Sequence, residues 1–364
     1  MDNGFQVDAV YTDYSKAFDK IPHNILVKKL DLFGIHGNLL RWLDSYLRNR
    51  SQAVSIKGYL SSFIPISSGV PQGSHLGPLL FNIFINDVTN ILNNSDSLLY
   101  ADDTKIFMKV SSLDDCHNLQ ADLNNLIQYC NKNKVKLNID KCCVISFTRK
   151  KNKILYDYNF QDISLRRVTE VRDLGVHLDS ELSFRRHYDI ITAKAYKMLG
   201  FIFRQSKDFK SPTTLILLFN SFVRSILEYA STVWNPQYQN HIYNIERIQN
   251  KFIKRLKYKF KNFDTNSFLS LETRRDMRDQ MFLHKIINNH IDSPYLLGKM
   301  ALYCKGNSRH PKTFVIKNCS SNYTKNRFAI RACESYNKSH HKTDIFSENL
   351  INFKKKIITN LKIA

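Results

Sequence analysis

Acidic residues are scarce in this chain: 32 Asp and Glu stand against 54 Lys and Arg over 364 residues, a formal net charge of +22. A surplus of that size argues against a cationic partner and for a polyanionic one, nucleic acid before anionic membrane. CxxC spacing is missing among the seven cysteines, at positions 116, 130, 142, 143, 304, 319 and 333, which excludes a zinc knuckle or a disulfide framework and leaves reduced, intracellular thiols. The histidines, the pair His340-His341 included, lack metal-ligand spacing and are expected on the surface. No apolar run reaches the ~20 residues of a membrane-spanning helix. The start, Met1-Asp2-Asn3-Gly4, is too polar for a secretory signal. Internal repeats and long low-complexity tracts are also missing. What is present is 43% hydrophobic and 12% aromatic residues, the make-up of a folded protein with room for two or three units.

Residues 6–12 are rich in strand formers and predict a strand ending at Asp13. Pro22 suits the first turn of a helix through Ile25, Leu26, Leu30 and Leu32 to Gly34, and a second helix covers 39–47. Residues 51–56 and 59–66 predict two short strands joined at Lys57-Gly58. A loop over 67–75, rich in Gly, Pro and Ser, precedes an apolar helix opened by Gly77-Pro78. Leu98-Leu99 and Thr104-Lys105-Ile106-Phe107-Met108 flank Tyr100-Ala101-Asp102-Asp103, which predicts a β-hairpin with those four residues at its tip. An amphipathic helix is expected over 113–131, strands over 144–147 and 170–178, and a mainly helical pattern from about Phe184. Divisions are expected near 150–165, where the basic run 149–153 interrupts the periodicity, and near 300.

Adjacent carboxylates on a tight turn repel each other, and make sense where a cation sits against them. Asp102 and Asp103 form such a pair, and Asp13 at a strand end offers a third carboxylate. Nucleotidyl transfer needs this arrangement, because two Mg²⁺ ions (or Mn²⁺) bracket the attacking and leaving oxygens. Alone, Asp13 reads as an ordinary capping residue; the Asp-Asp hairpin in a basic chain reverses that balance. Lys141 is a candidate general acid or charge stabiliser for departing pyrophosphate, with a solvated surface lysine as the alternative. Arg247, Lys251, Lys254 and Arg255 lie in a stretch without acids and with interleaved aromatics. On a helix such residues can track phosphates, or simply form a solvated face.

Three strings, Asp13-Tyr14-Ser15-Lys16-Ala17-Phe18-Asp19, Gly69-Val70-Pro71-Gln72-Gly73-Ser74 and Tyr100-Ala101-Asp102-Asp103, occur in an order that resembles the reverse transcriptases of non-LTR retrotransposons, the jockey-like group nearest. Leu137-Asn138-Ile139-Asp140-Lys141, Val171-Arg172-Asp173-Leu174-Gly175-Val176 (similar to the primer-grip region) and Leu227-Glu228-Tyr229-Ala230 through Trp234-Asn235-Pro236 continue the likeness to about residue 260. The resemblance implies an α+β right-hand polymerase palm, an antiparallel sheet with packed helices, over 1–155. A primer-grip region and helical thumb follow over 156–300, and a C-terminal helical extension over 301–364. It implies RNA-directed DNA synthesis from dNTPs on an RNA template and DNA primer, in the nucleus or cytoplasm and away from membranes. Asp13, Asp102 and Asp103 are then the metal-binding catalytic carboxylates, and Asp19 a structural helper. Phe18 is a steric gate against the 2′-hydroxyl, or equally a core-packing ring. Gly69, Pro71, Gln72, Gly73 and Tyr100 face the nucleotide, the glycines allowing close backbone approach and Gln72 reaching template or sugar edges. The first motif begins so near Met1 that the fingers expected before it are missing, as are an upstream endonuclease and a C-terminal Cys-His knuckle. A truncated copy, or a gene model starting at an internal methionine, is therefore expected, and the alternative function is an inactive relic that only binds nucleic acid.

Overall fold

The computed structural model describes residues 5–261, 263–264, 268–303, 312–319, 321–339 and 343–363; Cys304 and His340-His341 lie outside them. The chain divides into two compact units, Asn3–Val171 with Asp179–Ser183, and Arg172–Leu178 with Phe184–Ala364.

The first unit opens with β1 (Gln6–Thr12), α1 (His23–Leu32) and α2 (Gly37–Leu47). The strands β2 (Arg50–Gln52), β3 (Ser55–Ile56), β4 (Tyr59–Leu60) and β5 (Ile64–Ile66) then form one broken hairpin, β3 pairing β4 and β2 pairing β5. After α3 (Leu76–Ile85) come β6 (Asp96–Tyr100), β7 (Asp103–Val110), α4 (Leu113–Asn133), β8 (Cys143–Phe147), β9 (Asn159–Phe160), β10 (Ile163–Ser164) and β11 (Arg166–Arg167). The main sheet runs β11-β8-β1-β7-β6, antiparallel except for the β11–β8 pair. This is the expected α+β class: an antiparallel sheet with helices packed on it.

β1 sits in the middle because its side chains suit burial on both faces; Ala9 and Val10 are both shielded from solvent. On one face Val10, Ile106, Val110 and Val144 meet Leu26 and Leu30 of α1, Phe81 and Phe84 of α3, and Leu119, Leu123 and Leu126 of α4. Each such side chain contributes ~1.5–3 kcal/mol by leaving water. α4 begins with a capping box, Ser112 accepting from the Asp115 amide while the Asp115 carboxylate accepts from Ser112 N. Midway along it, Asp122 accepts from the amides of Asn93, Asn94 and Ser95, fixing the loop that feeds β6. The buried Lys29 ammonium donates to Phe84 O and Asp87 Oδ1, both at 2.7 Å, and to the Tyr129 hydroxyl at 3.0 Å, tying α1 to α3 and α4. The first core continues past residue 155, since Tyr158, Phe160 and Leu165 belong to it.

The expected 170–178 strand is instead a hairpin of β12 (Glu170–Asp173) and β13 (Val176–Asp179). Leu174 and Gly175 take φ of 43° and 86°, left-handed values that turn the chain back on itself. Tyr229 closes this turn, its hydroxyl donating to Leu174 O at 2.9 Å.

The second unit is helical, as the pattern after Phe184 predicts: α5 (Arg185–Gln205), α6 (Pro212–Phe219), a π-helical turn Asn220–Arg224, α7 (Ser225–Glu228), α8 (Ser231–Trp234), α9 (Gln239–Lys259) and α10 (Leu271–Ile287). Ala195, Leu199, Phe219, Trp234, Ile248 and Phe252 centre its larger core. The buried Glu228 carboxylate is held by Arg274 and Arg278, and the buried Asp279 by Arg331. A smaller core of Met277, Leu283, Phe314, Tyr336 and Phe353 joins α10 to the segment beyond residue 300.

Candidate active site

Two neighbouring strands deliver the carboxylates. β1 and β7 pair antiparallel with Thr12 opposite Thr104, and one further step in that register sets Asp13 opposite Asp103. Both then project from the sheet face opposite the one bearing Val10 and Ile106, because side chains alternate along a strand. Tyr11 and Lys105 mark that same face, the ammonium 5.4 Å from the ring centroid. Asp102 occupies the two-residue turn between the paired Tyr100 and Asp103, and Ala101 before it takes a φ of 53°. Tyr100 is exposed at the end of β6.

Lys141 arrives through backbone pairing. Just past β1, Tyr14 bridges Leu137, Ser15 N donates to Lys136 O at 2.8 Å, and Asn138 N donates to Asp13 O at 2.7 Å. The tight turn after Asn138 then sets the Lys141 ammonium 3.3 Å from Asp13 Oδ2. The Asn138 main chain holds this turn, its carbonyl accepting from Lys141 N and Cys142 N. Cys142 and Cys143 are buried, and burial pushes the Cys142 thiol up to about 11, so both stay protonated core residues.

Carboxylate oxygens suit a hard divalent cation, and the ammonium at Asp13 already answers that group's demand for positive charge. Yet among the described residues no three Asp, Glu, His or Cys gather closely enough to hold a metal ion. The structure aligns Asp13 with Asp103 and places Asp102 one residue away, without drawing the three into a ligand set.

The 67–75 loop is stapled to the segment after Asp13. Gly69 N donates to Ile21 O and Val70 N to Phe18 O, each at 2.8 Å, and the buried His23 ring lies 2.8 Å from Gly69 O. Gly69 has a φ of 88°, and a Cβ there would stand 2.7 Å from Asp19 O. No other residue fits that backbone. Ser74 Oγ donates to Pro71 O and accepts from Gly77 N, joining the loop to α3. Gln72 Nε2 donates to Asp19 Oδ1 at 2.7 Å. Phe18 is half-buried and stacks on Phe81 with ring centroids 4.4 Å apart, so it is anchored in the core while part of it remains accessible. Against the expectation of surface histidines, His23, His187 and His284 are buried; the His23–Gly69 and Asp19–Gln72 contacts join residues 46 and 53 apart and leave no local signal.

In the second unit, Arg247, Lys251, Lys254 and Arg255 are all exposed on α9, opposite the buried Ile245, Ile248 and Phe252. Three of them lie over rings: Arg247 over Tyr243, Lys251 over Tyr196 and Arg255 over Phe203, at 5.7–5.8 Å. The last two rings come from α5, so the stripe follows the α5–α9 seam.

The reverse transcriptase (RNA-dependent DNA polymerase) family profile matches residues 9–203, which takes in Asp13, Gly69–Ser74, the Asp102-Asp103 tip and Lys141. The RNA-directed DNA polymerase from the mobile element jockey of Drosophila melanogaster is 30% identical over 270 residues, covering 70% of this chain and 29% of that protein. The probable RNA-directed DNA polymerase from transposon BS of the same organism is 27% identical over 265 residues, 68% of this chain and 28% of the relative. This chain thus spans under a third of the length of these relatives. Apo telomerase from Candida tropicalis aligns over 77% of this chain and 45% of its own at 13% identity with a TM-score of 0.40, too low to argue from. The profile covers more than half of the chain and every motif that converges on the β1–β7 strand ends, and the chain belongs to the reverse transcriptase family.

Proposed function

We propose that the chain carries the polymerase centre for RNA-templated DNA synthesis, adding dNTPs to a DNA primer 3′-hydroxyl. The observation that carries this reading is the register of β1 on β7, which aligns Asp13 with Asp103 beside the Asp102 turn. Asp13 and Asp103, aligned across the two strands, with Asp102 beside them on the turn, would hold Mg²⁺ jointly with substrate phosphates, with Mn²⁺ as a substitute; when bound, such ions stabilise charge on the attacking and leaving oxygens. Lys141 has an exposed ammonium that would neutralise or protonate departing pyrophosphate once it leaves Asp13. That exposed pair contributes at most ~1 kcal/mol, so releasing it is easy. Phe18, anchored on Phe81, would exclude a 2′-hydroxyl. Gly69, Pro71, Gln72 and Gly73 would line the nascent base pair, and Tyr100 would flank it from the hairpin. Arg247, Lys251, Lys254 and Arg255 would track template–primer phosphates. Such an enzyme works where template and primer meet, in nucleus or cytoplasm; no described helix is long and apolar enough to cross a membrane.

Primer extension on an RNA template with Mg²⁺ and dNTPs tests this, beside Asp102→Ala and Asp103→Ala. Extension that disappears in both variants supports the reading; extension that persists in them sinks it. The exposed basic stripe supports one alternative, a relic that binds nucleic acid through α9 without turnover. Salt-sensitive template–primer binding with no extension by the wild type would establish it.

A further inference from the structure

We propose that Asp19 is a positioning residue that fixes the outward polarity of the Gln72 carboxamide, so that the loop offers an acceptor and selects ligands carrying a hydrogen-bond donor. The inference rests on the polymerase reading above and deepens it. A carboxylate can only accept, so the group Gln72 turns toward Asp19 Oδ1, 2.7 Å away, is its NH₂. The opposite end of the amide, Oε1, is then the end left for a ligand. An unconstrained glutamine would present either end, since the flip needs only rotation about the last side-chain bond.

The surroundings make this orientation persistent although both side chains are exposed. Asp19 ends the short helix Ala17–Asp19, directly after Phe18 on its Phe81 stack. Ser68 Oγ donates to Asp19 O at 2.8 Å, Gly69 N to Ile21 O and Val70 N to Phe18 O. Both ends of the Asp19–Gln72 bond therefore belong to one stapled unit, and forming it orders no additional backbone. The donor that Oε1 reads has two sources in a polymerase substrate: the sugar 3′-hydroxyl of the incoming nucleotide, or an exocyclic amino group of a base.

Four proteins test the assignment: wild type, D19A, D19N and the double variant D19N/Q72E. In D19N the new amide can either donate to Gln72 Oε1 or accept from its NH₂, so the Gln72 carboxamide is no longer held one way round. In D19N/Q72E that amide donates to a carboxylate, which again leaves an acceptor facing out. Side-chain amide NMR comes first and needs no turnover: the Gln72 NH₂ signals are expected to shift and exchange faster in D19A than in the wild type. Unchanged signals overturn the assignment whether or not primers are extended.

Selectivity is the second readout. In the wild type, loss of the donor at one source is expected to lower kcat/KM by about tenfold or more, the equivalent of one hydrogen bond. A 2′,3′-dideoxynucleotide removes the sugar donor and inosine in place of guanine removes a base amino group, so the two arms separate the sources. D19A should weaken the discrimination most, D19N should weaken it less, and D19N/Q72E should restore it, a rescue that a merely structural role would not give. Full wild-type discrimination retained in D19A refutes the inference. Wild type that extends no primer, with the amide shift present, refutes the polymerase reading and leaves the Asp19–Gln72 geometry standing.

Discussion

His187 offers a quantitative test of how burial sets the acid stability of the second unit. Its ring is buried beside Trp234, with centroids 5.1 Å apart, and Nδ1 accepts from His177 N at 3.3 Å. Nε2 is buried with no hydrogen-bond partner among the described residues. Burial, with smaller contributions from His177 and Lys194, pushes the imidazole down from 6.5 to about 4. Below about 4 both folded and unfolded states carry the proton; above 6.5 neither does. Between these values the unfolded state binds more protons, so stability rises with pH and is lost as pH falls. The drop from 6.5 to about 4 amounts to about 3 kcal/mol lost between pH 7 and pH 4.

Asp276 works in the opposite sense. Burial, then the nearby Asp279 and Glu272, raise its carboxyl from 3.8 to about 6, so over that window the folded state binds more protons and gains as pH falls. The wild-type profile therefore flattens, and a His187→Gln variant exposes the histidine contribution. Urea unfolding at pH 7, 6, 5 and 4 would follow Trp234 fluorescence in a Trp42→Phe background, since Trp42 and Trp234 are the two tryptophans. The variant should lose about 3 kcal/mol less than the wild type across that range. Profiles parallel to within ~0.5 kcal/mol, the scatter of ordinary surface changes, would refute the reasoning.

Alanine at Arg247, Lys251, Lys254 and Arg255 together should reduce the slope of log affinity against log salt for an RNA–DNA duplex by ~3–4, at ~0.9 per phosphate contact, measured by fluorescence anisotropy. A slope unchanged by the substitutions would make the stripe a solvated face. Gly69→Ala forces a Cβ to within 2.7 Å of Asp19 O at a φ of 88°, so extension should vanish while duplex binding through α9 persists; retained extension would show that the loop can relax. Lys29→Ala removes a charged donor from Asp87 and Phe84 O, leaving them the Tyr129 hydroxyl, and should destabilise the first unit by ~1–3 kcal/mol, read as a drop in its thermal midpoint. A shift worth under ~1 kcal/mol would mean that water replaces the ammonium.

Local pattern carried much of the first unit. The strand over 6–12, the hairpin tip at Tyr100–Asp103 and the amphipathic helix over 113–131 all lie where expected, because alternation, a two-residue turn and 3.6-residue periodicity are properties of contiguous residues. Two departures have the same origin in reverse. The 170–178 stretch reads as one strand on apolar content, but Leu174 and Gly175 adopt left-handed backbone and split it. The break in composition at 149–153 suggested a division near 150–165, yet Tyr158, Phe160 and Leu165 pack into the first core and the first unit runs on to Val171, which composition alone does not register.

By itself the sequence determined which residue types were available: three carboxylates at strand ends and a tip, a glycine-rich loop, and a basic helix face. Tertiary structure decided their company. Pairing β1 with β7 closes a loop of some ninety residues, and only the burial of Val10 and Ile106 on one face fixes the register that aligns Asp13 with Asp103. The Lys141–Asp13 contact depends on the bridge from Tyr14 to Leu137, and the Asp19–Gln72 bond on a loop stapled by backbone hydrogen bonds. These contacts are non-local, formed once the core has bought the backbone its order, and no window of sequence contains both partners.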